Sequence, residues 1–206
     1  MEAPVVEVAL VLAGYALGSL PWGYWLPLAF KRVDIRTLGS GNVGASNVWR
    51  TFGWKLGLPV LLLDLAKGAG AALLGRLVDD ELTGVLAGLA ALAGHWRPVF
   101  LGFQRGGKIV ATTGGVALAL APLPAICAIA LWILVFLAIR YASIASITAG
   151  VSLPLFALLF DASWPVVGFT IAAAAAIVVL HRANVRRLVK REEPRARLPL
   201  GHATRP

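Results

Sequence analysis

The sequence predicts an all-α integral membrane protein with about seven transmembrane helices, one of them short or broken. Of its 206 residues, 59% are hydrophobic and only 14% are charged. A typical soluble domain is about 45–50% apolar and about 25% charged. The apolar residues also fall into long runs separated by charges, prolines and glycines. This excess is too large for one globular core, and it excludes a disordered chain, a coiled coil and most soluble enzymes.

Apolar runs mark the candidate transmembrane segments. A hydrocarbon core of about 30 Å needs roughly 20 helical residues. The fourth run is shorter than that, and it fits a half-helix buried among the other helices. Pro122 and Pro124 separate it from the fifth run, and merging the two would leave six spans. The seven runs cover approximately residues 5–30, 55–75, 82–100, 109–121, 124–140, 144–160 and 163–181.

The charges of the connecting segments predict the orientation in the membrane. Four basic segments alternate with three that are not basic, and a six-span arrangement would break this alternation. Because cytoplasmic loops carry an excess of lysine and arginine, the N-terminus is predicted outside and the C-terminal tail in the cytoplasm. The basic segments are 31–55, 95–108, Arg140 and 182–191, and the others are 76–81, 122–124 and Asp161.

The organisation along the chain is simple. Residues 1–190 are predicted to form a single transmembrane domain and residues 191–206 a basic cytoplasmic tail. The net charge of +9 would suggest nucleic acid in a soluble protein. Here the basic residues lie between apolar runs, so anionic lipid headgroups are the expected partner and nucleic acid is not. The only cysteine is Cys127, and no removable signal peptide is expected.

A cluster of glycine, serine and asparagine residues, flanked by two arginines, follows the first span. Glycines let the backbone approach a ligand closely. Consecutive amides can form an anion-binding nest, and arginine offers bidentate contacts to phosphate. The alternative interpretation is a flexible loop with helix caps. The cluster contains Gly39, Ser40, Gly41, Asn42, Gly44, Ser46 and Asn47, and the arginines are Arg36 and Arg50.

A second basic turn, Arg105-Gly106-Gly107-Lys108, directly precedes an apolar helix. Backbone amides, a helix N-terminus and one lysine together can form a phosphate-binding site. An anchor that follows the positive-inside rule explains the same residues equally well. His95 lies shortly before this turn and could be a base, an interfacial residue or a structural donor. A donor packed at a helix end is the favoured interpretation.

Two further pairs place polar side chains three residues apart, on one helical face each. Ser143 and Ser146 follow Arg140, and His181 and Asn184 lie where the seventh span ends. The arginines after His181 are expected to lower its pKa and keep it neutral near pH 7. A neutral imidazole can orient a substrate or accept its proton, and the orienting role is favoured.

Asp64 and Lys67 are ionisable residues at membrane depth, three positions apart. Such residues are functional candidates by default, but a structural ion pair is the preferred interpretation here. The chain has no carboxylate pair and no set of metal ligands with suitable spacing. Neither a metal nor a cofactor is therefore expected.

Taken in order, these segments resemble the bacterial acyl-phosphate-dependent glycerol-3-phosphate acyltransferases, the PlsY family. The resemblance covers nearly the whole chain, and the string from Asp34 to Gly53 is its most specific part. It implies a seven-span fold with the active site at the cytoplasmic face. The matching strings are GSLPWGY (18–24), DIRTLGSGNVGASNVWRTFG (34–53), DLAKG (64–68), GHWRPVFLGF (94–103), GGK (106–108), VAT (110–112), RYASIASI (140–147) and HRANVRRL (181–188).

The resemblance implies transfer of a fatty acyl group from acyl phosphate to the 1-hydroxyl of glycerol 3-phosphate, which gives lysophosphatidate and inorganic phosphate. Acyl phosphate is already activated, so the enzyme mainly positions two anions and stabilises developing charge. A substrate phosphate oxygen is the expected proton acceptor, and a monomer suffices. The candidate catalytic residues are Ser40, Arg50, Lys108, Ser143, His181 and Asn184, and the candidate substrate-binding residues are Gly39, Gly41, Asn42, Asn47, Arg36, Gly106, Gly107, His95 and Ser146.

The chain departs from the family pattern around its second basic turn. It has one extra residue before the glycines, and Ile109 replaces the glycine that follows Lys108 in the family. Because isoleucine avoids positive φ, either the turn differs or the glycine served packing. Spacing also leaves Ser143 and Ser146 as alternative site serines. A divergent paralogue that acylates another phosphorylated alcohol and a small anion transporter remain alternative functions.

Overall fold

The structure, a computed structural model, describes residues 3–196, and this part of the chain is built from α-helices with two short 3-10 turns. The predicted tail residues 197–206 lie outside the described residues. The helices are α1 (Ala3–Gly18), α2 (Trp22–Lys31), α3 (Ala45–Phe52), α4 (Trp54–Val78), α5 (Glu81–Trp96), α6 (Val110–Leu120), α7 (Pro122–Ile139), α8 (Ala142–Leu159), α9 (Trp164–Leu180) and α10 (Arg182–Val189), and the 3-10 turns are Ile35–Thr37 and Val99–Leu101.

Apolar length separates these helices into full and partial membrane crossings. Within residues 3–196, five segments are long and apolar enough to span a membrane: Pro4–Lys31, α4, Glu81–Leu101, α7 and α8. The α9 helix, bent by 49° relative to α10, adds a sixth crossing. With 11 residues, α6 is about 16 Å long and shorter than the bilayer core of about 30 Å. The predicted all-α membrane fold with a short fourth segment is confirmed, and a count of seven includes this partial crossing.

Small residues allow the helices to approach one another closely. A Cβ atom at Gly18 would overlap the backbone of Ala91, where α1 meets α5. A Cβ atom at Gly115 would overlap the Leu65 carbonyl, where α6 meets α4. Because lipid provides no hydrophobic force between helices, such close approach lets van der Waals contacts hold them together. The ends of α5 and α6, and the turn between them, are thereby held in place.

The buried ion pair supports a structural role for Asp64 and Lys67. Their side chains are 2.8 Å apart and almost completely buried. Lys67 also donates from Nζ to the Leu20 carbonyl at 2.9 Å, at the break between α1 and α2. A charge at membrane depth is tolerated where it is paired. This pair therefore connects α4 to the chain break that leads into the first polar loop.

A small apolar cluster anchors that first polar loop. Ile35, Val48 and Val60 are fully buried and pack together. Ile35 lies in the 3-10 turn, Val48 in α3 and Val60 in α4, so residues from the loop and from a membrane helix share one core. Their burial fixes the polar residues between Ile35 and Val48 against the bundle.

Candidate active site

Four segments of the chain meet at one end of the helical bundle. Asn42, between α2 and α3, donates from its side-chain amide to the Gly106 carbonyl at 3.2 Å. Lys108, two residues further on, donates to the side-chain oxygen of Asn184 in α10. Ser143, at the start of α8, hydrogen-bonds a carboxylate that Asn184 also contacts. The four polar segments identified in the sequence are thus brought together.

The glycine-rich loop owes its shape to two glycines and one buried asparagine. Gly39 and Gly41 have φ of 59° and 68°, a region that glycine adopts without strain. Asn47 is buried, and its Oδ1 accepts from the Ser40 amide at 3.0 Å. Its Nδ2 donates to two loop carbonyls at 3.1 and 2.9 Å. Since both ends of this amide are used within the loop, Asn47 holds the loop in shape.

Ser40 and Arg50 present exposed side chains on this loop. Arg50 lies in the last turn of α3. Its positive charge contributes to lowering the pKa of Lys108, which requires the two cations to be close. The hydrogen bond from Asn42 to Gly106 joins the loop to the second basic turn, and the two together form one positively charged surface, which we call the cleft.

The second basic turn packs on the end of α5. The Gly106 amide donates to the Trp96 carbonyl at 2.8 Å, and the Gly107 amide donates to the His95 carbonyl at 3.0 Å. A Cβ atom at Gly107 would overlap the His95 ring. His95 is buried behind the turn, with Nδ1 3.6 Å from Oδ1 of Asp64. The structure thus places His95 behind the glycines as a packed residue at a helix end.

Ile109 follows Lys108 with φ of 60° and ψ of −8°. Of the two alternatives, a different turn or a family glycine that served packing, the first assumes that isoleucine avoids positive φ, yet Ile109 adopts the left-handed conformation. This conformation is a true outlier for a β-branched residue. Surrounding structure must hold Ile109 there, and its side chain is only 2% exposed.

The carboxylate of Glu193 lies at the centre of the cluster. Its Oε1 accepts from Ser143 Oγ at 2.9 Å and from Asn184 Nδ2 at 2.7 Å. Its Oε2 accepts from Arg187 Nε at 2.7 Å. Asn184 in turn accepts from Lys108. Three donors from two helices, α8 and α10, therefore converge on one anionic group, which is the arrangement that binding of a phosphate or carboxylate requires.

The charged groups of the cleft shift one another's pKa values. The pKa of Lys108 is lowered to about 8, mainly by burial; Glu193 opposes this shift, and the cations Arg187, Arg105 and Arg50 add to it. Burial disfavours ionisation of Glu193, but hydrogen bonds from its three donors outweigh this and hold its pKa below the usual value. Lys108 is therefore a partly desolvated cation that loses its proton in the mildly alkaline range.

His181 lies just beyond the end of α9 and is buried. Burial, followed by the charge of Lys108, lowers its pKa to about 4. The predicted direction is confirmed, but the principal cause is burial and not the arginines of α10. Its Nδ1 lies 2.8 Å from the Ile177 carbonyl. Since a carbonyl only accepts, Nδ1 carries the proton, and Nε2 of the neutral ring is an acceptor.

The two candidate serines of α8 have different surroundings. Ser143 contacts the carboxylate at the centre of the cluster. Ser146 accepts from Trp132 Nε1 at 3.0 Å and donates to the Ala142 carbonyl at 2.7 Å, so it joins α7 to α8. Of the pair, Ser143 is the serine that the structure brings to the site.

Arg36 is held by partners on several sides. Its guanidinium pairs with Asp34 at 2.7 Å and lies over the ring of Tyr24 at 4.7 Å. Its Nη1 donates to Gln104 Oε1 at 2.8 Å. Gln104 lies within the altered segment before the second basic turn. Arg36 therefore connects the two polar loops in this structure.

An apolar groove with a volume of about 270 Å³ runs between α5 and α9. Two of its lining residues, Ile109 and Leu180, are the sequence neighbours of Lys108 and His181. Val179 in its wall is 55% exposed, so the groove opens to the outside of the bundle. The lining residues are Leu89, Leu92, Ala93, Trp96, Ile109, Ala172, Ala173, Ala176, Val179 and Leu180.

Sequence reasoning missed both Glu193 and this groove. Glu193 lies in a segment dominated by basic residues, where an acidic residue among arginines was the available signal. The groove has no comparable signal, because α5 and α9 are apolar around most of their circumference. Only their packing reveals which face remains open.

Comparison with known proteins gives a consistent result. A family model described as glycerol-3-phosphate acyltransferase matches residues 8–191. A glycerol-3-phosphate acyltransferase of Desulforudis audaxviator is 48% identical over 95% of this chain and 98% of its own length. The corresponding protein of Desulforamulus reducens is 40% identical over 92% of this chain and 94% of its own length.

Two solved structures are also similar to this chain. One is PlsY (YgiH), an integral membrane glycerol 3-phosphate acyltransferase, in its glycerol 3-phosphate form. It has a TM-score of 0.88 and 40% identity, and the match covers 93% of this chain and 96% of that one. The lysophosphatidic acid form has a TM-score of 0.85 and 40% identity, with 92% and 94% covered.

Proposed function

Because the chain belongs to the glycerol-3-phosphate acyltransferase family, we propose that it transfers a fatty acyl group from acyl phosphate to the 1-hydroxyl of sn-glycerol 3-phosphate. The chain is a membrane acyltransferase by that membership. The donor, the product lysophosphatidate and the place of the reaction as the first acylation of phospholipid synthesis are our proposal.

The observation that carries the proposal is the junction of a cationic cleft with an apolar groove. Lys108 belongs to the cleft, and the next residue, Ile109, belongs to the groove. In the same way, His181 belongs to the cleft, and its neighbour Leu180 belongs to the groove. A reaction between a water-soluble phosphate ester and a fatty acyl phosphate needs such a junction. One part of the site must hold anions, and the adjoining part must hold a hydrocarbon chain.

Each substrate has a corresponding part of the site. We assign the phosphate of glycerol 3-phosphate to the turn formed by Gly106, Gly107 and Lys108. The phosphate of the acyl donor belongs with Ser40 and Arg50 on the opposite side of the cleft. The acyl chain lies in the groove between α5 and α9. Similarity to PlsY in its glycerol 3-phosphate and lysophosphatidic acid forms supports a site for both a phosphate and a single acyl chain.

The reaction is a direct acyl transfer without an acyl-enzyme. The 1-hydroxyl oxygen attacks the acyl carbonyl carbon and forms the ester bond. The bond between that carbon and the phosphate oxygen breaks, and inorganic phosphate leaves. The hydroxyl proton passes to a phosphate oxygen of the donor. The positive side chains stabilise the developing negative charge, which is the largest contribution expected in such a reaction.

His181 orients glycerol 3-phosphate in this mechanism. Its Nδ1 is committed to the Ile177 carbonyl, so Nε2 is left to accept a hydrogen bond from the 2-hydroxyl. The proton of the attacking 1-hydroxyl then remains available to the donor phosphate. With a pKa of about 4, the imidazole is a weak base. A phosphate, whose second pKa is about 6, is better matched to take the proton. The orienting role therefore works by acceptance of a hydrogen bond.

We further propose that the protein lies in the bacterial inner membrane with this cleft at the cytoplasmic side and the N-terminus outside. The basic loops at the cleft end of the bundle support this orientation. Glycerol 3-phosphate, which is charged and cytoplasmic, then reaches the cleft from water, and the acyl donor enters sideways from the lipid. A monomer contains all of the proposed parts.

One assay tests the proposal with purified protein in detergent micelles. Release of inorganic phosphate from palmitoyl phosphate is measured with and without glycerol 3-phosphate, and the lipid product is identified by mass spectrometry. We expect release that depends on glycerol 3-phosphate and a product with the mass of palmitoyl-glycerol 3-phosphate. Acceleration only by another phosphorylated alcohol would favour the divergent paralogue. Phosphate uptake into proteoliposomes without acyl transfer would favour an anion transporter.

A further inference from the structure

Ile109 is held in a backbone conformation that disfavours its own side chain. Its φ of 60° and ψ of −8° lie in the left-handed region, which a β-branched residue rarely occupies. Strained residues of this kind persist only where the surrounding structure determines them, and they cluster at ligand sites. The position of Ile109, directly after Lys108, therefore indicates that its side chain has a role at the site.

The backbone at this position does not require isoleucine. The Ile109 carbonyl accepts from the Thr113 amide at 2.7 Å and so begins the hydrogen bonding of α6. Any residue supplies that carbonyl, and glycine would adopt the same φ without strain. What isoleucine adds is its branched side chain, so the function of the residue must be found in what that side chain contacts.

The side chain of Ile109 lies between the core and the apolar groove. It belongs to the buried cluster that contains Leu92 of α5 and Ile177 of α9. It also lines the groove together with Trp96 and Leu180, which are the last residues of α5 and α9. Since the cleft begins at the preceding residue, the side chain occupies the end of the groove nearest the reacting groups.

We propose that Ile109 determines which acyl donors fit, by closing the cleft end of the acyl groove beside the carbonyl carbon. The inference rests on the proposed acyl-phosphate reaction. A straight chain passes the branched side chain and enters the groove. A chain with a substituent on the carbon next to the carbonyl meets the Ile109 methyl groups. The site therefore selects against donors branched at that carbon.

The test compares hexadecanoyl phosphate with 2-methylhexadecanoyl phosphate at saturating glycerol 3-phosphate. We expect Ile109→Gly to raise the ratio of kcat/KM for the branched donor over the straight donor by about tenfold or more, as is typical for one methylene-sized group in a hydrophobic pocket. Ile109→Val should shift the same ratio in the same direction by less. Leu89→Ala, which enlarges the groove at its other end, is the matched control. It should change the preference between dodecanoyl and hexadecanoyl phosphate and leave the branched-to-straight ratio unchanged.

Several results would overturn the inference. One is an unchanged branched-to-straight ratio in Ile109→Gly that remains helical by circular dichroism and monodisperse by gel filtration. Another is a rise in KM for glycerol 3-phosphate alone, which would mean that Ile109 acts by positioning Lys108. If Ile109→Gly does not fold, an unchanged ratio in Ile109→Val is decisive in the same way. Lack of turnover of hexadecanoyl phosphate by the unmodified protein would instead refute the proposed function.

Discussion

Raising the pH should selectively weaken the use of glycerol 3-phosphate, because Lys108 loses its charge. Burial lowers the pKa of Lys108 to about 8, so the ammonium form is complete below pH 7 and disappears as the pH rises through 8. The phosphate of the substrate, with a second pKa of about 6, keeps a nearly constant charge above pH 7. Loss of affinity in this pH range is therefore caused by titration of the protein and not of the substrate.

The expected magnitude follows from the titration. With a pKa of about 8, roughly 90% of the Lys108 side chains are charged at pH 7 and roughly 10% at pH 9. The value of kcat/KM for glycerol 3-phosphate, which reports the free enzyme, should fall by about five- to tenfold between these pH values. At high pH, kcat/KM should level off at the value set by loss of one charge-assisted hydrogen bond. That loss is about 1.5–3 kcal/mol, or roughly 10- to 150-fold in kcat/KM.

Three variants make the measurement specific. Lys108→Ala should already lie near the lower limit at pH 7, with its main effect on KM for glycerol 3-phosphate. Lys108→Arg should lose the alkaline decline, because a guanidinium stays charged throughout. Lys55→Ala, which removes an exposed lysine at the start of α4, should retain the decline of the unmodified protein. Initial rates are taken over pH 6.5–9.5 with palmitoyl phosphate fixed at saturation.

If kcat/KM of the unmodified protein did not change over this pH range, Lys108 would not be the titrating group. The same conclusion would follow if Lys108→Arg kept the decline in kcat/KM at the same midpoint. Equal weakening of both substrates in Lys108→Ala would contradict the assignment of this turn to the phosphate of glycerol 3-phosphate.

Four further predictions concern the rest of the site and the topology. Glu193→Gln should raise KM for glycerol 3-phosphate about tenfold by disorganising the donors around the carboxylate, whereas a lower KM would mean that the carboxylate competes with the substrate. Arg50→Lys keeps the charge and loses the planar fork, so activity in the phosphate-release assay should fall about tenfold, and near-normal activity would leave Arg50 only as a topological anchor. In a background without the native cysteine, a cysteine at Asp80 should react with an impermeant thiol reagent outside intact cells and one at Arg191 should not; labelling of both contradicts the predicted orientation. His181→Gln keeps an acceptor and should retain measurable turnover that His181→Ala loses, and an acidic limb near the His181 pKa of about 4, found only in the unmodified protein, would identify a general base instead.

The fold could be predicted largely because the membrane imposes it. Long apolar runs bounded by charges must become helices, since an unpaired backbone group is too costly in lipid. The same constraint explains the short α6, because Pro122 ends the apolar run at a point where α7 must begin. Alternation of basic and non-basic loops then predicts which polar segments meet. Asn42, Gly106 and Asn184 meet in this way although they are far apart in sequence.

The parts that could not be predicted depend on packing between segments. Nothing near Glu193 indicates that it turns back to Ser143, because that contact joins residues 50 positions apart. Arg36 satisfies the pattern expected of a phosphate ligand, but Asp34 and Gln104 take up its guanidinium. The conformation of Ile109 was unexpected because local preference favours negative φ, and the buried surroundings override that preference.

Burial of the cleft explains how one site can attract anions and still favour an anhydride reaction. Desolvation that lowers the pKa of Lys108 also strengthens its attraction to a phosphate, since fewer water molecules screen the charge. The same burial keeps His181 neutral, so it adds no positive charge and does not consume the proton that the leaving phosphate needs. Had the cleft been fully solvated, Lys108 would bind phosphate weakly and His181 would titrate near neutral pH. In the proposed reaction, the apolar groove beside the cleft holds the acyl chain, and burial of the cleft removes the water that would weaken the ionic contacts.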